Sequence, residues 1–134
     1  MGFVRWLKDI CIKPAMLEYL LSQARGTRMN EAEFENAVTA TLNRIEQAIE
    51  ASGANIDFEN AGEILELEFN NRSKIIINKQ GAAKQIWVAA KSGGFHYSYD
   101  ASAREWRNDQ SGAELFSELT RLVSEQSGES VKLV

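Results

Sequence analysis

Ser73 to Asp100 reads SKIIINKQGAAKQIWVAAKSGGFHYSYD, and this stretch decides the fold. Lys74 to Asn78, Gln85 to Ala90 and Phe95 to Tyr99 are rich in β-branched and aromatic residues, with turn-prone GAA and SGG segments between them. They read as three neighbouring antiparallel strands. Side chains alternate across a sheet, so Ile75 and Ile77, Ile86 with Val88, and Phe95 with Tyr97 are expected on one face. Ile76, Asn78, Gln85, Trp87 and His96 fall on the other. An inward Trp87 would expose Ile86 and Val88 instead, so alternation assigns the indole to the uncovered face.

On the N-terminal side, Asn30 with Glu33 reads as an N-cap opening the apolar series Phe34, Ala37, Val38, Thr41, Leu42, Ile45, Ala48 and Ile49, with Gly53 as the stop. Ile56 to Glu59 and Ile64 to Asn70 read as the first two strands, joined to their neighbours by NAGE and NNRS turns. On the C-terminal side, Arg104 to Arg107 around Trp106 reads as a short last strand. Ser111 with Glu114 reads as a capping box for a helix striped by Leu115, Phe116, Leu119, Leu122 and Val123 and ended by Gly128, with the tail ESVKLV laid over the core. The resulting class is α+β: two helices cover one face of an antiparallel sheet of about six strands.

The match to a known family rests on SKIIINKQ, then QIWVAAKSGGFHY, then Trp106, together with both flanking helices. From about Met29 to the end, the chain resembles the frataxin family in its short bacterial form. One departure is Gly81, Ala82 and Ala83 after Gln80, where that family usually carries a proline. Members generally begin near Met29, so residues 1–28 are expected to be an extension and 29–134 a frataxin-like domain. Within 1–28, two short amphipathic stretches flank Pro14, and Asp9 and Glu18 argue against a transit peptide.

The 134 residues fit one domain, and 44% apolar content with three Trp and six Phe suffices for a core. No apolar run approaches the roughly 20 residues that span a bilayer, so a soluble protein is expected. One Cys and one His furnish neither a disulfide nor the usual nitrogen and sulfur set of a zinc site, and four thiolates for a cluster are lacking. Residues 1–28 carry five basic and two acidic side chains, leaving 10 basic and 17 acidic in the rest, a net −7. That charge disfavours nucleic acid and favours cations or basic protein surfaces.

Two constellations carry chemistry. At roughly 100° per residue, Glu31, Glu35, Glu46 and Glu50 fall in one band beside the apolar stripe, and Asp57 and Glu59 extend it across the adjacent sheet border. Oxygen donors on a solvated ridge suit hard cations and weakly held iron, although a solvated helix face is the commoner role of such carboxylates. Trp87 with Asn78, Gln80, Gln85 and His96 has the composition of an interface anchor, a large apolar area ringed by groups that fix register. The Gly93–Gly94 pair precedes a strand rather than a helix, so it reads as a turn and not a phosphate loop. Nothing orders a catalytic triad.

The frataxin resemblance implies an iron-binding ridge on the first helix and strand, weakened where Gln47, Ala51 and Ser52 replace acids. It also implies a sheet face, centred on Trp87, that meets the iron-sulfur scaffold protein, with a cysteine desulfurase as the second partner. The implied protein is a cytoplasmic monomer that regulates iron-sulfur cluster assembly. Iron oxidation, storage or delivery is the alternative, and an interaction module without a metal role is a third.

Overall fold

The computed structural model describes residues 29–133. The two amphipathic stretches expected around Pro14 lie outside the described residues. Helix α1 (Glu31–Ser52) starts where the Asn30 side chain accepts a hydrogen bond from the Glu33 amide at 2.8 Å and returns one to the Glu33 carboxylate at 2.6 Å. It stops at Gly53, whose φ of 69° is a left-handed conformation that a side chain would strain. Between these caps the 3.6-residue repeat buries Phe34, Val38, Thr41, Leu42, Ile45 and Ile49.

Six strands follow: β1 (Asp57–Asn60), β2 (Ile64–Glu68), β3 (Lys74–Gln80), β4 (Gln85–Ala90), β5 (Gly93–Asp100) and β6 (Glu105–Asn108). They form one antiparallel meander in sequence order, as short loops between sequential strands favour. Helix α2 (Leu115–Ser127) closes the chain, and both helices pack on one sheet face. The core between them holds Leu65, Leu67, Ile75, Ile77, Ile86, Val88 and Tyr97 from the strands and Leu115, Phe116, Leu119, Leu122 and Val123 from α2. Trp106 also points inward. Its indole N–H donates to the Thr41 hydroxyl at 2.8 Å, and its ring meets Phe34 and Tyr99 edge-on.

Two local expectations need correction. The N-cap of α2 is Glu114 rather than Ser111: its carboxylate accepts from the Phe116 and Ser117 amides at 2.8 and 3.2 Å, while the Ser111 hydroxyl serves the Ala113 amide. Either side chain can accept from orphan amides, and the isolated bridge between Arg107 and Glu114 puts the carboxylate at the helix start. Gly93 and Gly94 are strand residues facing Ala90 and Ala89, so the two-residue turn is Lys91–Ser92. Gly93 is there for its φ of 148° at the first pair.

The tail lies over the core as its apolar residues require, with Val131 and Leu133 buried. The Ser124 hydroxyl pins the Val131 backbone by accepting from its amide at 3.0 Å and donating to its carbonyl at 3.1 Å. One polar network ties α2 to β5 and β6. The buried Tyr97 hydroxyl donates to Glu118 at 2.6 Å, Asn108 donates to the same carboxylate oxygen at 2.9 Å, and Arg121 pairs with its other oxygen at 3.2 Å.

Candidate functional site

Strand register draws the uncovered face row by row, because residues directly opposite each other share a face. One row crosses four strands as Ile64, Asn78, Trp87 and His96. The row beside it runs Glu59, Glu66, Ile76, Ala89 and Gly94, and beyond that lie Asp57, Glu68 and Lys74. On the other flank are Gln80, Gln85, Ser98 and Arg107. All five residues expected on this face therefore come together around Trp87.

Trp87 is half-buried rather than fully exposed. His96 stacks on it with ring centroids 4.2 Å apart and planes 12° from parallel, and the indole N–H donates to the Gln85 side-chain oxygen at 2.8 Å. The Gln85 amide nitrogen in turn donates to Ser98 and Asp109. The indole is thus held in one orientation, which lowers the entropy lost when a partner packs on it. The apolar companions that alternation turns outward, left out of the candidate surface, belong to it: Ile64 and Ile76 are 41% and 36% exposed, the two large hydrophobic side chains left open among the described residues. Their signal was present in the alternation, since Ile76 lies between two inward isoleucines.

The acids of α1 share one band but are spread along its length. Glu31, Glu35 and Glu50 are exposed and Glu46 is half-buried. At about 1.5 Å of rise per residue, Glu31 and Glu50 stand about 28 Å apart along α1, so the four carboxylates make two separate pairs. Glu35 is engaged. The Lys79 ammonium donates to both of its oxygens at 2.7 and 2.9 Å and also meets Glu63 at 3.2 Å. The hydrogen bond that Lys79 donates to Glu35 holds the Lys79 pKa above the ordinary lysine value.

Asp57 and Glu59 are exposed, and their side chains share the sheet face with Glu68 and Glu66, their register partners. The expected extension of the helix band across the sheet border is corrected accordingly: alternation turns both acids toward the uncovered face, where they border the Trp87 surface. A shallow hollow there is lined by Asp57, Glu59, Glu66, Glu68 and Lys74. Lys74 pairs with Glu66 at 2.5 Å, and that hydrogen bond raises its pKa. Three acids of the hollow are left without it.

Among the described residues no group of three or more His, Cys, Asp and Glu side chains is gathered into a metal-binding set. Paired carboxylates on a solvated helix still fit a hard cation held by few protein ligands and water. Glu46 and Glu50 are the better-placed pair, because the last turn of α1 has no basic residue against the negative helix end.

A family model described as a frataxin-like domain matches residues 27–129. The iron-sulfur cluster assembly protein CyaY of Dechloromonas aromatica (strain RCB) is 46% identical over 106 residues, which is 78% of this chain and 99% of that protein. The protein of the same name from Pseudomonas aeruginosa is 44% identical over 104 residues, covering 78% and 96%. Among solved structures, the frataxin from Psychromonas ingrahamii superposes with a TM-score of 0.74 at 38% identity, covering 79% of this chain and 99% of that one.

Proposed function

The chain belongs to the frataxin family, and from that premise we propose that it is an iron-binding regulator of iron-sulfur cluster assembly that docks on the cysteine desulfurase and scaffold complex. Relatives named as iron-sulfur cluster assembly proteins support the process. The observation that supports docking is the Trp87 surface: an indole fixed by His96 and Gln85, flanked by Ile64 and Ile76, on the face that neither α1 nor α2 covers. Such an arrangement supplies apolar area at its centre and polar groups at its rim. The acids at the β1 border complement a basic partner surface, which steers approach and fixes orientation.

Iron enters this reading as weakly held cargo. Glu46 and Glu50 are the favoured donors, with Glu31 and the Lys79-bound Glu35 contributing less, and Asp57 and Glu59 act beside the docking face. Docking falls to residues 29–134 as a cytoplasmic monomer, with residues 1–28 an extension. No helix among the described residues is long and apolar enough to cross a membrane.

The test is a titration of the full chain into a reconstituted cluster-assembly reaction, with and without added iron. A change in assembly rate that saturates with protein and disappears in Trp87→Ala is expected. An unaltered rate at saturating protein rejects the regulator reading. Faster conversion of Fe²⁺ to Fe³⁺ with the protein than without it, alongside that unaltered rate, would establish iron oxidation instead.

A further inference from the structure

A second concave surface lies away from the Trp87 face, between α1 and the β5–β6 hairpin. It has a volume of about 200 Å³ and is lined on one side by Ala37, Ala40 and Arg44 and on the other by Tyr99, Arg104 and Phe116. The floor is apolar in effect. Trp106 gives its indole N–H to Thr41, and the Thr41 hydroxyl gives its proton to the Ala37 carbonyl at 2.7 Å, so neither seeks a further partner. At the start of α2 the Glu114 carboxylate already occupies the Phe116 and Ser117 amides, which puts a negative charge where an anion would otherwise approach.

The polar capacity that remains belongs to two guanidinium groups. Arg44 is held over the Phe116 ring at 4.1 Å, an arrangement that leaves its N–H edge open. Arg104 sits at the hairpin in a left-handed backbone with φ of 54°. Arg107 and Arg121 each have two carboxylate partners, whereas neither Arg44 nor Arg104 has one within 4.0 Å among the described residues. In a domain with an excess of acids, two such arginines over one apolar floor are complementary to an incoming carboxylate.

Charge also limits what fits. Glu105 and Glu114 line the same groove, the first paired with Arg107 at 2.6 Å and the second capping α2. They would repel a polyanion such as a nucleotide. We propose that this groove binds a small organic monocarboxylate with a flat apolar body, its carboxylate between Arg44 and Arg104 and its body on the Ala37, Ala40 and Trp106 floor.

Benzoate is the probe, with benzamide to keep the body without the charge, acetate to keep the charge without the body, and inorganic phosphate as the polyanion. Titration of the full chain followed by amide and indole NMR should give saturable shifts at Ala37, Ala40, Arg104 and the Trp106 indole with benzoate. The other three probes should bind at least about tenfold more weakly. Arg104→Gly suits the left-handed backbone and keeps the hairpin. It and Arg44→Gln should each weaken benzoate by about tenfold. Absence of saturation, equal binding of benzamide, tighter binding of phosphate, an unchanged constant in Arg104→Gly, or shifts centred on Trp87 would each overturn the assignment.

Discussion

On β3, Ile75 and Ile77 are fully sealed beneath the helices, while Ile76 between them is 36% exposed. On β4 the same alternation buries Ile86 and Val88 and leaves Trp87 half open. The inner face is closed by dispersion and the hydrophobic effect, which need only apolar volume of the right size, so its residues are interchangeable within limits. The outer face is organised by specific polar contacts, His96 on Trp87 and Gln85 on the indole N–H, around apolar side chains left open among the described residues. One face makes the fold stable. The other holds a surface in readiness.

The largest effect that would break this contrast is a core truncation. Leu119 is fully buried, and Leu119→Ala should cost about 2 to 5 kcal/mol in denaturant unfolding. A near-neutral midpoint would mean that α2 does not close the inner face. Trp87→Ala should cost less stability, on the order of 1 kcal/mol, from the lost stack and the indole hydrogen bond. Its cost to docking on the assembly complex should reach about 2 kcal/mol or more, the scale of a central aromatic anchor. If unfolding suffers more than docking, Trp87 belongs with the core and the two faces do not differ as described.

The inner face was legible from sequence because alternation of period two and the helix stripe are local. Phe34, Leu42, Ile45, Ile77, Val88, Leu119 and Leu122 are all buried in one cluster, as the pattern requires. The outer face was legible in membership but not in detail. Which residue stacks on Trp87 depends on the register of β4 with β5, and on the helix side of the sheet the Lys79–Glu35 pair joins residues 44 positions apart. No local pattern encodes either. The direction of Asp57 and Glu59 was misjudged for a related reason: a four-residue edge strand carries too short an alternation to tell a helix-side border from the uncovered face.

Smaller, pH-dependent effects sharpen the contrast. Burial, followed by the hydrogen bond to Glu118, raises the Tyr97 pKa well above the ordinary value of 10.0. Its contribution is therefore intact below about pH 10 and lost as pH rises further, because the unfolded chain ionises first. Burial opposes ionisation of Glu118, but hydrogen bonds from Tyr97, Asn108 and Arg121 outweigh it and depress its pKa below 4.5. That stability is present above pH 4.5 and lost as pH falls through the depressed value. Tyr97→Phe should flatten the alkaline limb of the pH–stability curve. An unchanged limb would assign the alkaline loss elsewhere.

The smallest expected change in stability, paired with a specific change in binding, concerns the carboxylates of α1. Glu46 and Glu50 stand one turn apart without a basic neighbour in the last turn, so neutralising both as Gln should alter stability by no more than about 0.5 kcal/mol, with slight relief of repulsion. Iron binding followed by calorimetry should weaken, since among the described residues no lysine pairs with Glu46 or Glu50. Lys79→Gln is the complementary variant: it releases Glu35 from its ion pair and should strengthen binding at the Glu31–Glu35 end. Together the two variants distinguish a ridge from a pair. If iron responds only to Glu46 and Glu50, one end of α1 binds it. If Lys79→Gln restores the affinity lost in the double variant, both ends are competent and Lys79 sets which is used. If neither variant alters iron affinity, these helix carboxylates are a solvated face and the metal role must pass to the acids bordering Trp87.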